Sequence, residues 1–179
     1  MYRLFVAIDL PSRVLERIAG ICHGVRGARW VPQEQLHLTL RFIGEVNGSQ
    51  YDDIVASLEQ VQYRTFPLRL AGTGYFPPKK APRVLWVGIE ENGHVRDLFQ
   101  LVENALHEAG IAREKRKFSP HVTVARLRDR VRPADVAPFL SHTGLFKTEP
   151  VQVNEIHLYS SVLRPEGALH RKEASYALY

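Results

Sequence analysis

A chain of 179 residues, 45% hydrophobic and 24% charged, has the size and composition of a soluble globular protein, either one domain or two small lobes on a shared core, and excludes wholesale disorder. Its formal net charge of +5 and pI near 9.5 lean toward polyanionic partners without requiring one. The single cysteine, Cys22, excludes an intrachain disulfide, and a reducing cytoplasm is the expected compartment.

Residues 3–10 (RLFVAIDL) predict a buried strand; the apolar run is short and interrupted by Asp9, so neither a signal peptide nor a membrane span is expected. Pro11 and Ser12 open a helix whose apolar positions Val14, Ile18, Ile21, Cys22 and Val25 recur at helical spacing, with Gly24 and Gly27 closing it. Cys22 then lies on the apolar face, as a small buried hydrophobe rather than a reactive thiol. Trp30 and Val31 suggest a short strand. Residues 36–43 (LHLTLRFI) alternate as a strand that Gly44 ends. Ser49 with Asp52 resembles a capping box for the next helix, with Ile54, Leu58 and Val61 inward. Residues 66–76 read as extended, and FPPKKAP at 76–82 as a Pro- and Lys-rich loop.

A similar order then returns. VLWVGIE at 84–90 predicts a strand, and Val95, Leu98, Phe99, Val102, Leu106 and Ala109 mark a helix stopped by Gly110. AREKRK at 112–117 is a basic connection, and FSPHVTVARL at 118–127 is again a strand. A Pro-started helix near 133–140, extended segments near 144–162 and a last strand at 175–179 complete the chain. Strand, helix and a His-x-Thr strand thus occur in both halves, an approximate duplication. The reading is a single 1–179 domain of α+β class, bilobal, with two pseudo-symmetric lobes of mainly antiparallel sheet, helices outside and a cleft between the lobes.

In a strand, alternate side chains share a face. His37 and Thr39 therefore face one way and Leu36, Leu38 and Leu40 the other; His121 and Thr123 are likewise opposed to Val122 and Val124. Two such strands across a cleft suit phosphodiester chemistry. One neutral imidazole takes a proton from the attacking oxygen, and one protonated imidazole gives a proton to the leaving oxygen. Two threonine hydroxyls donate to the non-bridging oxygens. No metal is required by such a set. Composition alone yields about 0.3 His-x-Thr matches, so two in repeated context raise the signal above an ordinary half-exposed strand.

FVAIDLP at 5–11, HLTLRFIGEV at 37–46, PRVLWVGI at 82–89, SPHVTVAR at 119–126 and HLYSSVL at 157–163 resemble, in order, the two-histidine (2H) phosphoesterases, and within them the RNA 2',3'-cyclic phosphodiesterases, also named 2'-5' RNA ligases. The resemblance implies hydrolysis of RNA 2',3'-cyclic phosphate ends to 2'-phosphates, with 2'-5' ligation as a related activity. It implies His37 as proton donor and His121 as proton acceptor, with Thr39 and Thr123 on the phosphate. The split of roles between the histidines rests on the resemblance alone. RNA with a cyclic phosphate end is the implied partner; no cofactor, metal, membrane or obligate protein partner is expected, and a monomer suffices.

Arg41 shares strand parity with His37 and Thr39 and so reaches the same face, where it can hold a phosphate; a solvated strand-edge arginine is the alternative. Arg126 matches a family arginine, but its parity is opposite to His121, so a bulge or strand end must turn it. Phe42 has the same parity problem, and core packing is the favoured reading over base stacking. Tyr75 and Phe76 flank Lys79, Lys80 and Arg83 in a loop that either guides single-stranded RNA or is simply solvated. His23, His94, His107, His142 (in a loop) and His157 lack the motif, and His170 stands near where the family tends to carry an aromatic residue. Two other readings remain: a noncatalytic RNA-binding protein, and a phosphodiesterase for a small cyclic nucleotide.

Overall fold

A computed structural model describes residues 1–179. Its strands are β1 (Tyr2–Asp9), β2 (Ala28–Trp30), β3 (His37–Val46), β4 (Phe66–Leu68), β5 (Leu70–Phe76), β6 (Val84–Ile89), β7 (Val122–Leu127), β8 (Val151–Val153), β9 (Glu155–Arg164) and β10 (Gly167–Ala177). Its α-helices are α1 (Ser12–Ala19), α2 (Gly48–Leu58), α3 (His94–Glu108) and α4 (Pro133–Thr143). The class is α+β and the form two-lobed. One lobe carries the sheet β10-β9-β1-β3 and the other β2-β7-β6-β5, with β4 and β8 as a separate pair. Every recorded pairing is antiparallel. The repeat is visible in the pairing: β3 lies beside β1 as β7 lies beside β6.

One cluster of 37 buried apolar residues runs through both lobes, so their inward sheet faces and helices share a core. β1 supplies Leu4, Val6 and Ile8, β3 Leu38 and Leu40, β6 Leu85 and Val87, and β7 Val122 and Val124. Helix α3, which connects β6 to β7 of the second sheet, packs against α2 and β3 of the first lobe. Helix α2 packs on the first sheet through Tyr51, whose ring stacks on Tyr2 at 4.6 Å. Helix α4 is tied to β5 by the Thr73–Thr143 hydroxyl pair at 2.7 Å. No helix is long and apolar enough to cross a membrane.

Several local expectations are corrected. Helix α1 ends at Ala19, so Ile21, Cys22 and Val25 pack from the turn after it; Cys22 is half-buried there, and burial pushes its thiol up to about 11. Gly44 does not end its strand: it lies inside β3 at φ +91, where β3 takes an extra residue, Ile43, against the Leu4–Phe5 step of β1. The capping box of α2 is Asn47 with Gln50, two residues before the predicted one, with the Asn47 side chain accepting from the Gln50 amide at 2.9 Å. β7 begins only at Val122, so His121 stands at its threshold, and His142 is helical, inside α4. β10 spans eleven residues rather than the last five.

Candidate active site

β3 and β7 approach each other directly, with Cα atoms within 8 Å. Their apolar faces turn into the shared core, and the His-x-Thr faces of both look away from it, onto a side termed the groove. His37, Thr39, His121 and Thr123 are each partly exposed there, while Leu38, Leu40, Val122 and Val124 are buried.

Simple alternation fails just beyond each motif, in the same way. In β3 the register passes from Ala7–Thr39 to Val6–Arg41, so Leu40 and Arg41 together oppose one step of β1. In β7 it passes from Trp86–Thr123 to Leu85–Ala125, skipping Val124. A bulge with two residues against one reverses the parity of everything after it. Leu40 and Arg41 are therefore both buried, and so are Val124 and Ala125. Phe42 and Arg126 emerge at equivalent positions on the groove faces of the two sheets.

This overturns the placement of Arg41. It does not reach the groove, nor is it a solvated edge residue: it is 8% exposed and forms an ion pair with Glu103 of α3, which is 5% exposed. Arg41 also donates to the Ala112 carbonyl at 2.6 Å and to the Phe42 carbonyl. The other Glu103 oxygen accepts from the Glu114 amide at 2.9 Å. Phe42 is the reverse case: it is 58% exposed, with its ring 5.8 Å from Phe5 on the His37 side. Arg126 is exposed on the side of His121 and Thr123, turned there by the second bulge.

An aromatic shelf that the motifs did not announce holds His37. Its ring stacks on Phe5 at 4.9 Å, and Phe5, only 2% exposed, lies 5.2 Å from Tyr159 and 5.0 Å from His170. His170 meets His37 edge-on at 5.4 Å. The alternation of β1 contained the signal, since Phe5, Ala7 and Asp9 take the face opposite Leu4, Val6 and Ile8. At the end of that face Asp9 accepts hydrogen bonds from Tyr159 Oη at 2.6 Å and Lys172 Nζ at 2.7 Å, 3.4 Å from His157 Nε2. Burial opposes its charge, but Lys172 and Tyr159 outweigh burial and hold its carboxyl below the usual range. A cavity of about 420 Å³ adjoins this network between Asp9, Arg13, Glu155 and His157, beside the motif groove rather than in it.

His121 stands against Phe76, edge-on at 4.9 Å, and nearer the sheet against Trp86 at 6.5 Å. Trp86 lies over Gly74, where a Cβ would fall 2.2 Å from its ring, so only glycine lets the indole lie flat as this wall. His121 Nδ1 is 2.7 Å from the Ser119 carbonyl. A carbonyl only accepts, so Nδ1 carries the hydrogen, and Nε2 of the neutral ring is left with its lone pair. The Gln35 backbone, again two residues upstream, favours the protonated form of His37.

Burial is the main cause that pushes His37 down, to about 4, with His170 adding to it and the Gln35 backbone and Asp9 opposing. Burial also lowers His121, against the favourable Ser119 carbonyl. Both imidazoles are thus mainly neutral at neutral pH, and a bound anion favours their protonation.

The family model described as the 2'-5' RNA ligase superfamily matches residues 5–164. Among curated proteins, the Archaeoglobus fulgidus RNA 2',3'-cyclic phosphodiesterase is 33% identical over 172 residues, covering 94% of this chain and 96% of that protein. The Thermotoga maritima protein of the same name is 33% identical, covering 94% and 91%. Among solved structures, Escherichia coli LigT in its apo form superposes with a TM-score of 0.81 at 25% identity, over 99% of this chain and 97% of that one. A Thermus thermophilus structure superposes at 0.80 with 28% identity, over 98% and 97%.

Proposed function

The chain belongs to the 2'-5' RNA ligase superfamily, and from that premise we propose that it opens RNA 2',3'-cyclic phosphate ends by metal-independent acid–base catalysis with His37 and His121. The observation that carries the reading is the paired bulged strand. Each carries an imidazole, then a hydroxyl, and past the bulge an exposed side chain, Phe42 on one strand and Arg126 on the other, and in this reading the two strands face one phosphate.

In this mechanism Nε2 of neutral His121 takes a proton from water, whose oxygen attacks the phosphorus. The bond from phosphorus to O3' breaks. Protonated His37 gives its proton to O3', leaving a 2'-phosphate and a 3'-hydroxyl. Thr39 and Thr123 donate to the non-bridging oxygens, where charge gathers in the transition state, and Arg126 offsets that charge. Phe42 offers an exposed ring to the terminal base. The two imidazoles end with exchanged protonation and reset through solvent. Ligation through a 2'-5' linkage uses the same groups in the same sense, with a 5'-hydroxyl in place of water as the nucleophile and O3' again leaving.

The test is product analysis. Metal-stripped protein with excess chelator, given an RNA ending in a 2',3'-cyclic phosphate, is expected to leave a 2'-phosphate. A 3'-phosphate would reverse the leaving group, and loss of turnover on chelation would remove metal independence.

A pH profile tests the proton roles separately. Activity needs one neutral and one protonated histidine. Both are held below their ordinary 6.5, His37 at about 4. The singly protonated free protein therefore peaks acid of pH 6.5 and declines as pH rises, and kcat/KM should do the same. Bound anion raises both values, so the optimum of kcat should lie alkaline of that for kcat/KM. Coincident optima above pH 7 would be incompatible with these two groups as acid and base.

A further inference from the structure

The groove face of the second lobe does not end at Arg126. β2 is the edge strand of its sheet and pairs only with β7, in the register Ala28–Leu127, Arg29–Arg126 and Trp30–Ala125. Residues directly opposite on antiparallel strands share a face. Arg29 therefore stands beside Arg126, on the side of His121 and Thr123. Arg128 follows where β7 ends, and Arg29, Arg126 and Arg128 border one depression of about 360 Å³ with Ala28 and Leu127. All three arginines are exposed.

Like charges directly opposite in a sheet cost stability. The fold does not neutralise these. Its arginine ion pairs engage Arg41, Arg69, Arg83, Arg96, Arg116, Arg132 and Arg171, and none of the three at the depression. Nearby Arg83 is matched with Asp129 and Arg132 with Asp135, so carboxylates are at hand in this region and are used elsewhere. Unneutralised guanidinium groups opposite one another on a rigid strand pair suit an anion that the protein does not itself contain.

Its position indicates which anion. Thr123 lies three residues before Arg126 on β7, a span on the order of 7–10 Å at ordinary strand rise. Arg29 is one strand further from β6, so the charge leads from the groove outward over the open sheet edge. We propose that Arg29 and Arg128, which flank Arg126, bind the internucleotide phosphate on the 5' side of the terminal nucleoside, so that the protein acts on oligonucleotide ends in preference to mononucleotides. The proposal rests on the reading that the groove opens RNA cyclic phosphates, and it names the substrate class within that reading.

The experiment compares a mononucleoside 2',3'-cyclic phosphate with di- and trinucleotides bearing the same end, for the wild type, Arg29→Ala and Arg128→Ala. Anisotropy of a labelled trinucleotide ending in a 2'-phosphate is measured in parallel, from low to moderate salt. The wild type should turn over the dinucleotide well above the mononucleotide. Each variant should lose about tenfold in kcat/KM on the dinucleotide, the size of one hydrogen bond to a charged group, and nothing on the mononucleotide. The salt dependence of binding should become shallower by about 0.7 in log–log slope per arginine. Equal turnover of mono- and dinucleotide by the wild type overturns the proposal, as do losses of equal size on both substrates. If no cyclic end is opened at all, the catalytic reading falls by itself. Binding then decides this one: weakening in both variants supports the subsite, and unchanged binding overturns it.

Discussion

Replacing His37 or His121 by alanine is expected to lower turnover of an RNA cyclic phosphate by on the order of 10²–10⁴-fold each, the usual contribution of one positioned acid or base. The fold should survive both changes. His37 rests on Phe5 at 4.9 Å and His121 against Phe76, but neither ring belongs to the buried apolar cluster. Removing His37 also removes a group whose charge burial opposes, so acid stability should if anything improve. The two losses are expected to combine by much less than their product, because a general acid has little to do once the attacking water is not activated. Activity and thermal melts on the same preparations decide the matter. A single variant that keeps more than about a tenth of wild-type activity would take its histidine out of the proposed role. A variant that melts far below the wild type would make its lost activity uninformative, and glutamine at the same position is then the replacement to use.

Glu103→Ala is expected to be the most destabilising polar-to-alanine change in the protein. Arg41 and Glu103 are both buried, and their remaining hydrogen-bonding capacity is met by the Ala112 carbonyl and the Glu114 amide. A complete buried pair adds little over apolar residues of similar volume, because desolvation consumes most of the attraction. A broken pair is different: it leaves a guanidinium charge in the core, at a cost of about 3–5 kcal/mol. For a chain of this length that corresponds to roughly 6–20 °C in melting temperature. Arg41→Met combined with Glu103→Leu should recover most of the loss. The pair also joins β3, which carries His37, to α3 and to the 112–114 connection, which leads toward His121. The destabilised variant should therefore lose activity before it unfolds. A cost below 1 kcal/mol for Glu103→Ala would mean that water reaches Arg41 and the tie between lobes is weak.

The same strand accounts for the main error in reading the sequence. LHLTLRF was legible up to Leu40, because period-two alternation is a property of the chain itself: His37 and Thr39 had to share a face. Beyond Leu40 the assignment of Arg41 to the groove and Phe42 to the core was inverted. A bulge is not a property of one strand. It arises from the register with the neighbour, here where β1 moves from Ala7 to Val6 while β3 takes two residues. The Leu-Arg step bulges against β1, its neighbour in the sheet, and Arg41 turns to Glu103 of α3; neither partner is readable from seven residues. In β7 the matching bulge turned Arg126 toward the groove, which parity alone placed on the far side.

Local sequence determined the positions of most strands and helices, the repeat of strand, helix and motif strand, the apolar faces that build the core, and the two His-x-Thr pairs, because alternation and helical spacing act between neighbours in the chain. Tertiary structure decided what lies around those pairs. Phe5, Tyr159 and His170 come from three strands to support one imidazole, and Arg29 meets Arg126 only because an edge strand crosses to the second sheet. Arg41 became a buried tie rather than a phosphate ligand for the same reason: where a side chain points past a bulge depends on the strand it pairs with, and that partner is chosen by the packing of the whole chain.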